Sequence, residues 1–200
     1  MAENTEVRAA ATDVLRAFLR PQERVLICDA APSTLEAGIM AAELGADVVP
    51  GNGRHTWQDL LRQAFAQWVT VLIGQPKVIL ALAKIARVTG TPLPVRHVVL
   101  LGTTKQPWLL KGIRDCLDAQ IHICNLPAPE EEDSLVQQLD EMLLSWASVL
   151  DYHVQRTEAG LRLEIVIFSG HPLPKLPSGA HVTVRPWNPG KDTPRVSFEG

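Results

Sequence analysis

The chain carries little of what binds nucleic acid, crosses a membrane or holds a metal. Its 19 Lys and Arg stand against 22 Asp and Glu in 200 residues, a formal net charge of -3, and the isoelectric point is near 6.1. No basic run breaks that balance, so no general field gathers phosphates, and nucleic acid is not an expected partner. The apolar stretches are strand-sized, well short of the roughly 20 residues that span a bilayer. The opening MAENTEVRAA lacks the apolar centre of a signal peptide, so a cytoplasmic protein without a membrane partner is expected. Cysteine is scarce and odd in number: Cys28, Cys116 and Cys124 lack CxxC spacing and sit in apolar surroundings. That pattern predicts buried reduced thiols and no metal site. The Asp29-Ala30-Ala31 that follows the first apolar run is not a GxGxxG loop, which argues against an ordinary dinucleotide site. Ser33 and Ser178 lack the GxSxG elbow of a serine hydrolase.

What is present reads as a folded α/β chain. Apolar residues make up 46% and charged residues 20%, far from the composition of disordered chains. Residues 5–19 place Val7, Ala10, Ala11, Val14, Leu15, Phe18 and Leu19 at helical spacing, and Pro21 ends the pattern. Strand-like runs follow at 24–29, 46–50, 69–73, 97–101 and 120–124. Helical patterns lie between them: 33–44 with Ser33 as N-cap, 56–67 opened by Thr56 with Asp59 three residues on, 76–88 with Pro76 in its first turn, and 108–117. Five short apolar strands alternating with helices predict a Rossmann-like parallel sheet flanked by helices, with right-handed crossovers. Ligands of such sheets bind at the carboxyl ends of strands, here Asp29, residues 50–55, 74–76 and 102–106, and Asn125.

Composition turns abruptly to proline and acid at NLPAPEEED, which predicts a linker over 125–133 between a unit at 1–124 and a small α+β unit at 134–200. In the second unit, Ser134 is placed to cap a helix to about Trp146 with Leu135, Leu139, Met142, Leu143 and Trp146 on one face. A hairpin of 149–157 and 161–168 follows, then a proline-rich tail with room for one short edge strand near 180–185.

Three segments in order carry a resemblance: LGADVVPGNGRHTWQDLL from Leu44, VTVLIGQPKVILALAKIA from Val69, and LPVRHVVLLGTTKQPWLLKGIRDCL from Leu93. They resemble the middle of the adenylate-forming ligases, in particular the phenylacetate–CoA ligase branch. In that branch a glycine follows LGA-x-V-x-P, a T-x-L-x-x-x-P strand and turn leads to an LA helix, and a glycine loop ends in Pro-Trp. The match covers roughly residues 24–124, and LDEMLLSWASVLDYHV from Leu139 resembles the start of the family's small carboxyl-terminal domain.

The resemblance implies an acyl-binding turn at Gly74, Gln75 and Pro76 and an adenine-binding loop that includes Gly102, Thr103 and Thr104. His55, after Gly51-Asn52-Gly53, is the histidine best placed at a strand-end loop. The turn at Gly74 is equally what any βα connection needs. The family's phosphate loop, rich in Ser, Thr and Gly, precedes the matched region, and nothing before Arg24 has that composition. Its Tyr-Gly-x-x-Glu segment, which helps hold magnesium, is replaced after Cys124 by Asn125-Leu126-Pro127, and the acid before Pro-Trp is absent. Lys191 is late enough for the catalytic lysine but lies in a Pro-rich tail. The expectation is therefore a degenerate protein with no catalytic residues. It binds a small acyl or aryl compound, a nucleotide or a partner chain; ATP, AMP or CoA stay open as cofactors. An uncovered apolar tail at 168–187 suits a homodimer. The rival expectation is one half of a split acid–CoA ligase whose phosphate loop comes from another polypeptide.

Overall fold

A computed structural model of the chain describes residues 2–51, 55–102, 106–125, 138–157, 160–170 and 181–192. Helix α1 (Ala2–Phe18) leads into β1 (Arg24–Ile27), α2 (Pro32–Glu43), β2 (Asp47–Pro50), α3 (Trp57–Ala66), β3 (Val71–Gly74), α4 (Pro76–Thr89), β4 (His97–Leu101), α5 (Pro107–Cys116) and β5 (Gln120–Cys124). The turn after α1 places Pro21 and Gln22 between Arg20 and Glu23, whose amide returns to the Arg20 carbonyl at 3.0 Å. All five strands are parallel, in the order β2-β1-β3-β4-β5. The sheet is Rossmann-like, as the alternation of apolar runs and helices predicts.

Alternation along each strand divides the core. Val25, Ile27, Val71, Ile73, Val99 and Leu101 pack against α1 and α2, while Leu26, Cys28, Leu72, Val98 and Leu100 pack against α3, α4 and α5. The strand order reverses direction at β1, so the connection to β2 lies on one face and the later connections lie on the other. Cys28, Cys116 and Cys124 are free thiols, the first and last buried. No helix among the described residues is long and apolar enough to cross a membrane.

Local chemistry fixes most helix ends. Thr56 and Asp59 form the expected capping box, with the Asp59 amide donating to Thr56 Oγ1 at 3.2 Å and the Thr56 amide donating to Asp59 Oδ2 at 3.1 Å. Ser33 is not the N-cap of α2: Pro32 occupies the first helical position, so the cap moves back to Ala31. At their other ends α2, α3 and α4 close alike. Amides of Ala46, Val69 and Thr91 reach back to the carbonyls of Ala41, Ala64 and Ala86 at 3.1, 2.9 and 3.0 Å, which requires the preceding residue to be left-handed. Those residues are Gly45, Trp68 and Gly90, with φ of 90°, 53° and 66°.

The second unit holds a three-stranded sheet, β6 (Val149–Thr157), β7 (Gly160–Ile167) and β8 (His181–Pro186), with β6 antiparallel and β8 parallel to β7. Register aligns Tyr152, Ile165 and Val184 in one row and Val154, Leu163 and Val182 in the next. This apolar face joins α3, α4 and α5 in a single cluster. Helix α4 therefore packs on both sheets, and its residues Val78–Ala86 are all buried.

Before β6, Asp140–Leu144 form a π-helix. Ser134 and Leu135 lie outside the described residues. Leu139 and Leu143 are buried as expected, but Met142 and Trp146 are each 39% exposed while Leu144 is buried. The wider π turn rotates the following side chains off the 3.6-residue stripe. It also directs Asp140, fully buried, to Tyr152 Oη and, at 2.6 Å, to Lys77 Nζ. Lys84, two turns along α4, donates to the carbonyls of Leu144, Trp146 and Val149 at 2.6, 2.9 and 2.8 Å. Burial lowers its pKa to about 8.

The apolar tail is covered where it is described. Phe168 is buried and Trp187 meets it edge-on with ring centroids 5.6 Å apart, so these two residues complete the molecule's own core. Residues 171–180 lie outside the described residues.

Candidate functional site

The strand order reverses between β1 and β3, and at the carboxyl ends of these two strands α2 and α4 start on opposite faces of the sheet, the switch point at which ligands of such sheets bind. Asp29, the second residue after β1, lies at this point and is 2% exposed. Its Oδ1 accepts from the Ala31 amide at 3.0 Å and its Oδ2 from the Gln75 amide at 2.8 Å. Ala31 and Gln75 are the N-cap residues of α2 and α4. One carboxylate thus ties together the two helix starts at the switch point, at the positive ends of both helices. Below it, burial first and the Asp29 charge second push the Cys28 thiol well up.

Gly74 lies against that carboxylate. A Cβ there would stand 3.0 Å from Asp29 Oδ2 and 3.0 Å from Cys28 Cβ, so a side chain at this position needs the packed pair to give by a few tenths of an ångström. Gln75 caps α4 without a side-chain bond, and Pro76 takes the first helical position. Of the residues expected at the edge, Gly74 and Gln75 therefore meet Asp29, and Pro76 follows them into α4. Gly102 lies farther along, after β4, with φ 119° and its amide on the Cys124 carbonyl at 3.1 Å. Thr103 and Thr104 lie outside the described residues.

His55 stands at the β2 end of the same edge, where Pro50 pairs with Ile27. Its Nε2 is 3.5 Å from Gln63 Nε2, two turns into α3. His55 Nδ1 and Gln63 Oε1 are both shielded from solvent and have no hydrogen-bond partner among the described residues. The turn at 188–192 closes beside them: the Trp57 amide donates to the Asp192 carbonyl at 3.0 Å, and the Asp192 carboxylate is held by Arg185 at 2.9 Å and by the Asn188 amide at 2.7 Å.

Sequence reasoning located the strand ends but missed Asp29 as the central group and Gln63 as the partner of His55. An acid just past an apolar strand was the available signal for Asp29. No group of three or more potential metal ligands occurs among the described residues.

Among the described residues, the helix starts at the carboxyl edge offer few free amides to a phosphate. Three of its helices, α2, α4 and α5, begin with proline and so lack one free amide each. The N-cap amides of α2 and α4 are already spent on Asp29.

No family model matches the sequence, and no curated protein sequence is similar to it. Solved structures do resemble it. A 2-hydroxyisobutyryl-CoA ligase in its postadenylation state superposes with a TM-score of 0.52 at 18% identity, over 64% of this chain and 29% of that one. An open form of a 2-hydroxyisobutyryl-CoA ligase, in complex with 2-HIB-AMP and CoA, gives 0.51 at 16% identity over 61% and 31%. The chain spans under a third of the length of these enzymes, and what it has in common with them is the fold: a helix-flanked parallel sheet of the kind found in acyl-CoA ligases.

Proposed function

We infer that this chain is a non-catalytic relative of the adenylate-forming ligases, of the phenylacetate–CoA ligase branch, that holds a small acyl or aryl compound or a nucleotide fragment at the carboxyl edge of its five-stranded sheet. The likeness in fold and the three ordered sequence segments support the ancestry. The observation that carries the non-catalytic part is Asp29. Adenylation requires a triphosphate to be neutralised by amides, hydroxyls and a metal. A buried carboxylate already occupies the N-cap amides of α2 and α4 at the switch point, and it repels an anion brought there.

The test is ATP–pyrophosphate exchange with a panel of aryl and fatty acids, run beside a thermal-shift screen. Exchange at the level of the blank is expected, with no rise in melting temperature from magnesium and ATP. Uncharged acyl or aryl compounds should raise it, since a ligand of the folded form alone stabilises it. Robust exchange by this chain alone sinks the reading.

A partner chain is the second reading. Leu35 and Ile39, one turn apart on the outer side of α2, are each 49% exposed beside the edge strand β2. That surface suits a second copy or a companion subunit that supplies a phosphate loop. Sedimentation showing only monomer at micromolar concentration, with no exchange on adding such a companion, counts against it.

A further inference from the structure

We propose that His55 and Gln63 form a recognition pair for a neutral ligand carrying a carboxamide-type edge, a hydrogen-bond donor beside an acceptor. This inference rests on the ligand-binding reading above and names the chemistry and the end of the sheet involved. The two side chains touch through one atom each, His55 Nε2 and the Gln63 amide, at 3.5 Å. Each keeps a second polar atom, His55 Nδ1 and Gln63 Oε1, shielded from solvent and unpaired among the described residues. Buried polar atoms left without partners are costly, and two on neighbouring side chains at a strand-end loop point to a bound group.

The chemistry of that group follows whichever way the amide is turned. If Gln63 donates its N–H to His55 Nε2, the imidazole proton sits on Nδ1, so the free pair is an Nδ1–H donor and an Oε1 acceptor. If the amide is turned over, His55 donates from Nε2, its Nδ1 becomes an acceptor, and the free Gln63 atom is an NH2 donor. Either way the protein offers one donor and one acceptor. A primary carboxamide or the amide-like edge of a nucleobase satisfies both, whereas a carboxylate has only acceptors and leaves one protein atom unpaired. The Asp29 carboxylate on the neighbouring strand end selects in the same direction, against an anion.

The experiment titrates the full chain with benzamide, adenosine and benzoate at pH 7, following the His55 ring nitrogens and the Gln63 side-chain amide by NMR and measuring affinity by calorimetry. Benzamide or adenosine should shift both sets of signals, and which of them binds more tightly separates a simple amide from a nucleobase as the source of the edge. Gln63→Leu and His55→Leu, each checked for folding by circular dichroism, should weaken that binding at least about tenfold, as loss of a paired buried hydrogen bond does. Benzoate should bind at least about tenfold more weakly than benzamide. Binding that survives both substitutions unchanged, or benzoate matching benzamide, overturns the recognition pair alone. Silence toward both neutral probes overturns it together with the small-ligand reading.

Discussion

Trp68 holds a backbone conformation that costs an L-residue about 1–2 kcal/mol, in a helix cap that α2 and α4 build with Gly45 and Gly90. Its side chain is 69% exposed, so little burial offsets the strain. Trp68→Gly is expected to stabilise the fold by about 0.5–1 kcal/mol after the flexibility that glycine adds to the unfolded chain. That corresponds to a rise of about 1–4 °C in a thermal melt; an unchanged or lower midpoint would mean that the indole contributes more than its exposure allows. No sequence signal reveals this residue, since its conformation is dictated by where the chain must turn into Val69. The Thr56–Asp59 capping box was legible because both partners lie within one turn. Ser33 misled because the proline before it takes the first helical position. His55 could be picked out from its loop, but Gln63 could not, because the angle between that loop and α3 decides whether they meet.

Among the elements, α1 depends on a small aromatic contact. The Phe18 ring stacks on His97 and His122 with centroids 4.4 and 4.0 Å away, and His97 Nδ1 lies 3.1 Å from His122 Nε2. Desolvation lowers both histidines below the usual 6.5; His97 lowers His122 further, while Glu23 and Arg96 act on His97 in opposite senses. The unfolded chain therefore binds protons first as pH falls, so stability from this pair is full above about pH 6.5 and is lost progressively below it. Melting midpoints should drop between pH 7 and 5, and His122→Phe should flatten part of that slope; an identical slope in the variant would remove the pair as its cause. Strand positions were readable from apolar runs bounded by glycine and proline. The π-helix was not: the 3.6-residue stripe puts Met142 and Trp146 inside, whereas the wider turn that carries Asp140 inward to Lys77 and Tyr152 leaves them out.

At the scale of the whole molecule, Lys84 is a buried polar tie between the two sheets. Its ammonium is bonded to three carbonyls at the end of the π-helix and the start of β6. Lys84→Met should destabilise the protein by about 2–4 kcal/mol, because buried acceptors are left unpaired. Chemical denaturation followed by far- and near-ultraviolet dichroism should still give coincident transitions, since one apolar cluster spans both sheets. A loss under about 0.5 kcal/mol would show that packing alone holds the contact. The parallel sheet was legible, and so in principle was this docking: VILALAKIA is apolar around the whole circumference of a helix, which a single covered side does not need. The strand order and the identity of the second cover were beyond reach, because both are set by contacts far apart along the chain.

Helix α4 is a wall common to two rooms. A gene fusion or a protein engineer cannot exchange the three-stranded sheet as a cassette, since the graft would have to match the flank of Val78–Ala86 and find new acceptors for a lysine in its middle. A chain cut after Cys124 would carry a bare, sticky helix into solution, so heredity has to treat the two sheets as a single heirloom.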